Sequence, residues 1–185
     1  MGKTDLRVIK TEKILNETLL EILKEKSFEE VKVSDICDKA LINRSTFYSH
    51  FTDKYDLLNS LIKNMKNNLI EELHKNKNVS NSKEYYIELI SILLNHLEEK
   101  QELYTNIMIN NQYSIAINMV YNALTEDITK RIEEDKPSDI PSRIISSFYI
   151  GAIFCTVIEW LRDKGKYTKE DIIKYLSKLI NDNLK

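Results

Sequence analysis

Glycine and proline, the residues that build tight turns, are almost absent from this chain: 3 Gly and 2 Pro in 185 residues, where average usage puts the two together near ~12%. A sandwich, barrel or propeller of short strands needs a turn roughly every 8–12 residues, and those turns draw on Gly and Pro. Such folds are excluded. Lys, Glu, Leu, Ile and Asn dominate instead, and the fold class expected is all-α. A chain of this length makes one compact unit or two small ones and buries roughly 70% of its unfolded surface. At 42% hydrophobic residues it has the apolar content to fold.

Charge and cysteine usage exclude several function classes. The 27 basic and 29 acidic residues leave a net charge of -2, so no charged tail points to a partner by bulk electrostatics. Cys37 and Cys155 lie far apart with no C-x-x-C spacing, which indicates neither a disulfide framework nor a zinc site. Both are expected to be reduced, buried small hydrophobes in a cytoplasmic protein. Residues 1–10 are polar and lack the apolar stretch of a secretory signal. The longest apolar run, Phe148 to Ile158, is broken only by Gly151 and Thr156; it falls short of the ~20 residues a bilayer needs and reads as a buried helix.

Hydrophobic periodicity places the helices. The first covers about Lys3 to Lys26, with Ile14, Leu15, Thr18, Leu19, Ile22 and Leu23 at three-to-four spacing. Phe28 plugs into the core beside it. A short helix follows at about Val33 to Ala40 and another begins at Asn43, a good N-cap side chain, with Phe47 and Phe51 inward. Asp53 caps a longer helix to about His74 with Leu57, Leu58, Leu61, Ile62, Met65 and Leu69 as its stripe. The Asn/Ser-rich stretch Lys75 to Lys83 reads as a linker. Beyond it the pattern predicts helices at 84–99, 101–110, 112–134, 142–163 and 169–183, with Pro137, Pro141, Gly165 and Thr168 marking the breaks. The expected organisation is an N-terminal helical domain over 1–52, a connecting helix over 53–75 and a C-terminal helical domain over 83–185.

Residues 31–58, VKVSDICDKALINRSTFYSHFTDKYDLL, carry the chemistry. Two short helices joined by a tight turn form no core alone and need the first helix beneath them, which makes a three-helix helix-turn-helix unit. The second short helix of such a unit enters the major groove and its N-terminal residues reach base edges. Here that end reads Asn43, Arg44, Ser45, Thr46. Arg44 can bond guanine bidentately, Thr46 can pack on a thymine methyl, and Tyr48 and His50 can reach phosphates.

The run Ile36-Cys37, Asn43 to Tyr48, His50-Phe51 and Asp53-Lys54 followed by Leu57-Leu58 resembles the DNA-binding signature of the TetR/AcrR family of transcriptional regulators. Gly151, Ala152, Trp160 and Leu161 are similar to a pattern in the small C-terminal domain of family members from low-GC Gram-positive bacteria. The resemblance implies a homodimeric helical repressor that binds a palindromic double-stranded DNA operator. It also implies a four-helix bundle made by the last two helices of each subunit, and a small-molecule effector site enclosed by the fifth to seventh helices. It places Arg44, Ser45 and Thr46 at bases, Tyr48, His50 and Lys54 at phosphates, and Lys3 and Arg7 on an N-terminal arm. Two positions depart from the family pattern. Leu41 stands where the turn usually has Gly, a position that tends to need positive φ. Lys32 stands where Ser or Thr usually caps the second helix, so Ser34 is a candidate cap for a shifted start.

Residues 1–54 hold 10 basic and 10 acidic residues, a net of zero, so specific DNA binding requires positive charge gathered at Lys3, Arg7, Arg44, His50 and Lys54, with Glu21, Glu25, Glu29 and Glu30 elsewhere. The alternative is a protein of this fold that has lost specific recognition and senses small molecules or binds other proteins. The helix from Arg143 to Leu161 is apolar nearly all round, as in helices buried on both sides. A second subunit accounts for one side, with Tyr149, Gly151, Ala152, Ile153 and Trp160, joined by Ile173, Leu176 and Ile180 of the last helix, as the expected dimer face. Tyr86, Leu89, Tyr104, Met108, Tyr113, Met119, Tyr121 and Phe148 are candidates to line an apolar effector pocket, although such residues at helical spacing are more often plain core. An enzyme is disfavoured: Glu71 and His74 form a single Glu-x-x-His where di-iron chemistry needs two, and no phosphate loop or nucleophile grouping is present. No metal or cofactor is called for.

Overall fold

The computed structural model describes residues 6–75, 82–110, 115–134, 139–163 and 166–183, with the side chains of 73–75, 82–86, 110 and 181–183 outside that description. Among the described residues there are nine α-helices and no β-strand, as a chain poor in turn residues requires. They are α1 (Leu6–Leu23), α2 (Val33–Ala40), α3 (Arg44–His50), α4 (Lys54–Lys75), α5 (Ser82–Glu99), α6 (Gln101–Thr105), α7 (Ile115–Glu134), α8 (Ser142–Arg162) and α9 (Lys169–Asn183). A 3-10 turn at Phe28–Glu30 precedes α2, and a π-helical turn at Asn106–Asn110 continues α6.

The chain divides into two compact units, residues 1–65 with 102–119 and residues 66–101 with 120–185. The boundaries read from the sequence do not contain this division. The segment 102–119 belongs with the N-terminal residues because Leu103 and Ala116 are buried in the same core as Leu15, Leu19, Phe28, Ile36, Phe47 and Leu57. Polar bonds reinforce it: Asn106 Nδ2 donates to the Leu23 carbonyl at 2.8 Å, and the Ile115 N–H donates to Glu29 Oε1 at 2.7 Å. Each of the large apolar side chains in that core contributes about 1.5–3 kcal/mol relative to an exposed one. The α1 stripe differs in one place from the expected one. Ile14 is 45% exposed and Asn16 is buried instead, its Nδ2 donating to the Glu12 carbonyl at 2.8 Å and to Ser60 Oγ on α4 at 3.4 Å.

Helix starts in the N-terminal unit follow three devices. Asp53 caps α4 as expected, its Oδ1 accepting the Tyr55 and Asp56 N–H groups at 2.8 Å each. The expected shift of α2 to a Ser34 cap does not occur. The helix starts at Val33 behind Lys32, because Asp35 Oδ2 accepts the Lys32 N–H at 3.1 Å and the Lys26 ammonium, half of a capping box supplied from within the helix. Asn43 has the extended N-cap backbone (φ -74°, ψ 149°) but its side chain makes no cap bond, leaving that amide available at the surface.

Leu41 occupies the left-handed region, φ 56° and ψ 42°, as the C-cap of α2. It is the one positive-φ non-glycine among the described residues. The Ile42 N–H closes back on the Cys37 carbonyl at 3.0 Å, so the helix-ending geometry usually given to glycine is kept with a leucine in it. The turn is strained rather than rearranged. Leu41→Gly is expected to raise stability by about 0.5–1 kcal/mol, the relief of left-handed strain less the added entropy of the unfolded glycine; thermal unfolding checks it.

In the C-terminal unit α9 packs along α5, with Lys169 Nζ bonded to Glu98 Oε2 at 2.6 Å and Ile172, Leu176 and Ile180 buried. The expected dimer face is corrected here. Leu176 and Ile180 turn into this unit's own core, while Tyr175 and Leu179, one residue earlier and so about 100° round the helix, are 46% and 59% exposed. Helices α7 and α8 meet through hydroxyls: Thr129 Oγ1 and Ser146 Oγ are 2.6 Å apart, and Tyr121 OH donates to the Ser147 carbonyl at 3.3 Å. Gly151 faces Tyr121, whose hydroxyl would lie 3.8 Å from an added Cβ; that is ordinary contact, so nothing within the chain demands glycine there.

Helix α8 is long and apolar enough to cross a membrane by length and composition alone, yet only 17% of its most apolar window is buried within the chain. Ser146, Val157 and Leu161 face inward, whereas Ile144 and Phe148 are 60% and 68% exposed and Ala152 and Cys155 also face out. The expectation that both cysteines are buried holds for Cys37 and fails for Cys155.

Candidate nucleic-acid interface

Helix α3 is only seven residues long, and its orientation is set by its aromatic residues. Phe47 is fully buried and Phe51 nearly so, their ring centroids 6.0 Å apart, which pins one side of α3 into the core it shares with Leu15, Leu19, Ile36 and Leu57. The opposite side is thereby turned to solvent. Asn43, Arg44, Ser45 and Tyr48 are exposed, and Thr46 is half-buried. Tyr48 is 57% exposed and stands edge-on against Phe47 at 5.4 Å. Ser49 folds back on its own helix, Oγ donating to the Thr46 carbonyl at 2.7 Å. Arg44, Ser45 and Tyr48 thus form one continuous polar surface at the start of α3.

Electrostatics explain how residues 1–54, with a net charge of zero, present a positive end. Five of their carboxylates are occupied away from α3, Glu21 with Lys24 at 2.6 Å, Glu25 with Lys39 at 3.4 Å, Asp35 with Lys26, Glu29 with the Ile115 N–H, and Glu30 with Ser27 at 2.9 Å, while Glu12 meets the far end of α3 at His50. The Lys24 hydrogen bond holds the Glu21 carboxyl below its ordinary value, and that from Lys26 does the same for Asp35. No ion pair among the described residues engages Arg44, whose charge is left for an anionic or guanine-bearing partner. Burial pushes the Cys37 thiol up against the opposing pull of the Arg44 charge, so this cysteine stays a neutral packing residue.

Two residues expected at phosphates sit differently. The His50 side chain is only 11% exposed and its Nδ1 lies 3.6 Å from Glu12 Oε1 on α1, so it bridges α3 to α1 with little surface left. Lys54 is enclosed. Its ammonium donates to the backbone carbonyls of Phe28 at 2.9 Å, Glu29 at 3.0 Å and Val31 at 2.8 Å, and lies 4.8 Å from the Phe28 ring centroid and 5.6 Å from that of Tyr55. An ammonium has three N–H donors, and all three are used internally. Desolvation by these neighbours lowers its pKa. Lys54 therefore ties the turn before α2 to the start of α4 and is not offered to DNA. One signal in the sequence pointed that way: a cation in the first turn of a helix opposes the helix dipole, and the three carbonyls compensate for it. Arg7 is exposed on α1, and Lys3 lies outside the described residues.

The residues expected to line an effector pocket are divided between the two units. Tyr104 and Met108 are buried and Met119 is partly buried, all in the N-terminal unit; Tyr121 belongs to the C-terminal unit. Burial raises the Tyr104 hydroxyl pKa, so it stays a neutral phenol. Phe148 is corrected: two residues from inward-facing Ser146, it lies about 200° round α8 and points to solvent. The Tyr86 side chain and the whole of Tyr113 lie outside the described residues.

Comparison with known proteins bears on both units. Residues 16–61 match the model of bacterial regulatory proteins of the tetR family, and residues 88–182 match that of a transcriptional regulator C-terminal region. An uncharacterised HTH-type transcriptional regulator of Bacillus subtilis, YxbF, is 36% identical over 70 residues, covering 37% of this chain and 18% of that protein. The dhaKLM operon transcriptional activator DhaS of Lactococcus lactis is 30% identical over 102 residues, covering 54% of this chain and 49% of that protein. The chain thus spans about half the length of these curated relatives or less. Among solved structures, a TetR transcriptional regulator from Streptococcus agalactiae superposes with a TM-score of 0.68 at 24% identity, covering 95% of this chain and 96% of that one. The regulator FadR from Bacillus subtilis, in complex with stearoyl-CoA, does so at 0.64 and 21% identity, covering 91% and 96%. These structures share the fold, the two family models account for both ends of the sequence, and the exposed face of α3 lies within the first of them: the chain belongs to the TetR family of transcriptional regulators.

Proposed function

We propose that this protein is a homodimeric, sequence-specific repressor that binds a palindromic DNA operator in the cytoplasm and is released from it by a small-molecule effector. The observation that carries the DNA-binding part is the surface at the start of α3, where exposed Arg44, Ser45 and Tyr48 stand on a helix anchored by buried Phe47. Arg44 reads guanine, Ser45 and Thr46 contact neighbouring bases, and Tyr48 and Asn43 bond phosphates. Arg7, with Lys3, adds backbone contacts from the N-terminal side. A gel shift with the DNA upstream of its own gene tests it: retardation by the wild type at moderate salt, abolished by Arg44→Ala, is expected. Absence of any sequence-specific retardation would refute it and favour a member of the fold that has lost recognition.

The dimer is supported by α8, whose outer stripe of Ile144, Phe148, Ala152 and Cys155 is too apolar to face water in a stable monomer, and by the exposed Tyr175 and Leu179 of α9. Binding a palindrome with half-sites one helical turn apart requires the dimer to hold its two recognition helices about 34 Å apart. Light scattering is expected to give twice the 21.8 kDa chain mass, and Phe148→Glu combined with Leu179→Glu to give the monomer. A monomeric wild type at micromolar concentration would rule out the interface. Release by an effector is supported by the structural likeness to a regulator crystallised with stearoyl-CoA; an apolar ligand favouring one spacing of the recognition helices would shift the population bound to DNA. Activation is a second reading, favoured by the activator role in the name of the Lactococcus lactis relative.

A further inference from the structure

We infer that Leu41 is a specificity-determining contact to operator DNA, an apolar side chain held at the rim of the major groove by the turn between α2 and α3. This rests on the operator-binding reading above.

Leu41 is the most exposed of the large hydrophobic residues described, at 91%. Its backbone sits in the left-handed region, φ 56° and ψ 42°, where glycine is the unstrained choice. Folding therefore accounts for the turn and not for the side chain: the backbone bonds Leu41 N–H to Asp38 O at 3.3 Å and Ile42 N–H to Cys37 O at 3.0 Å need no isobutyl group, and no apolar burial offsets the strain. Residues held in sparsely populated backbone regions cluster where surrounding structure and function require them.

The position of the side chain identifies its partner. Leu41 lies two residues before the N-cap Asn43 and three before Arg44, so its Cα is within about 11 Å of that of Arg44 even with the chain fully extended. The surface it adjoins is the exposed start of α3 already assigned to DNA. When the N-terminal end of α3 enters the major groove, the turn that precedes it is brought to the groove edge. A branched apolar group there meets the C5 methyl of thymine or the apolar edge of deoxyribose, the contacts by which aliphatic side chains read DNA without hydrogen bonds.

The test uses the full-length protein and an operator half-site found by selection from random duplexes, with Leu41→Gly and Leu41→Asn as variants, both residue types compatible with positive φ. Both are expected to raise the melting temperature yet weaken operator binding by about three- to tenfold. The slope of affinity against salt should be unchanged, because no phosphate contact is removed. Replacing half-site thymines by deoxyuridine distinguishes the two DNA groups: a loss seen in wild type but not in Leu41→Gly assigns the thymine methyl, and an equal response of both assigns the sugar edge. Operator binding by Leu41→Gly as tight as by wild type overturns the inference while leaving the operator reading intact. Failure of the wild type to select any sequence overturns both.

Discussion

Arg44→Ala is expected to weaken operator binding by about 10–100-fold, with thermal unfolding within about 2 °C of wild type. The size follows from geometry and charge together. Arg44 is exposed at the first position of α3 and takes part in no ion pair among the described residues, so truncating it removes nothing the fold uses. A bidentate arginine to guanine contact carries about 1–3 kcal/mol of discrimination. The loss should concentrate at one base pair: anisotropy titrations against half-sites varied one position at a time should show the variant indifferent where the wild type demands guanine. A uniform loss across all sequences, with a salt slope reduced by about one, would instead make Arg44 a phosphate contact.

Lys54→Met has the opposite signature. It leaves the Phe28, Glu29 and Val31 carbonyls without the ammonium that now bonds all three, and a hydrogen bond to a charged group is worth about 1.5–3 kcal/mol in such a partly buried setting. A fall in melting temperature of about 4–10 °C is expected. Operator affinity falls with it, because the turn at Phe28–Glu30 supports α2 and the Phe28 ring packs edge-on against Tyr55 at 5.3 Å. The salt dependence of binding should stay that of wild type, since no phosphate partner is lost. Lys54→Arg is not expected to rescue, because a planar guanidinium does not present three converging donors to three carbonyls. Unchanged stability with a reduced salt slope would return Lys54 to the phosphate role implied by the family pattern.

These two lysine and arginine positions show how far the sequence reaches. Both stand in the same short motif, and spacing alone treats both as cations beside DNA. What separates them is the path of the chain between Phe28 and Val31, 23 to 26 residues earlier than Lys54, which a local pattern does not contain. His50 was legible as a polar residue at the end of α3, while its bridge to Glu12 depends on how α1 crosses beneath that helix. The cap at Asp53 was legible because capping is a local competition for backbone N–H groups. The span of α2, Val33 to Ala40, was legible for the same local reason; only the candidate Ser34 cap goes unused, because Asp35 inside the helix accepts the Lys32 amide.

The C-terminal helices make the same point over longer distances. Periodicity located α8 and α9 to within a residue or two, yet it put Leu176 and Ile180 on the partner-facing side and left out Tyr175 and Leu179. The stripe of α9 marks which of its residues are apolar, and leaves open whether they meet this unit's own core or a partner. The packing of α9 along α5 decides this, turning Ile172, Leu176 and Ile180 inward and leaving the residues about 100° away in solvent.

By itself, then, the sequence determined an all-helical chain, through its lack of turn residues. It also determined the helix-turn-helix unit, through aromatic residues four apart and a capped helix behind them, because these signals act within a few residues of the chain. The tertiary structure alone decided which cations are free, which apolar faces are covered, and that residues 102–119 complete the core beneath the DNA-binding helices. Those outcomes depend on contacts between segments far apart in the chain. The leucine in the turn joins both: its sequence position marked it as unusual, and only the folded backbone, left-handed with the side chain in solvent, made it a candidate to touch DNA.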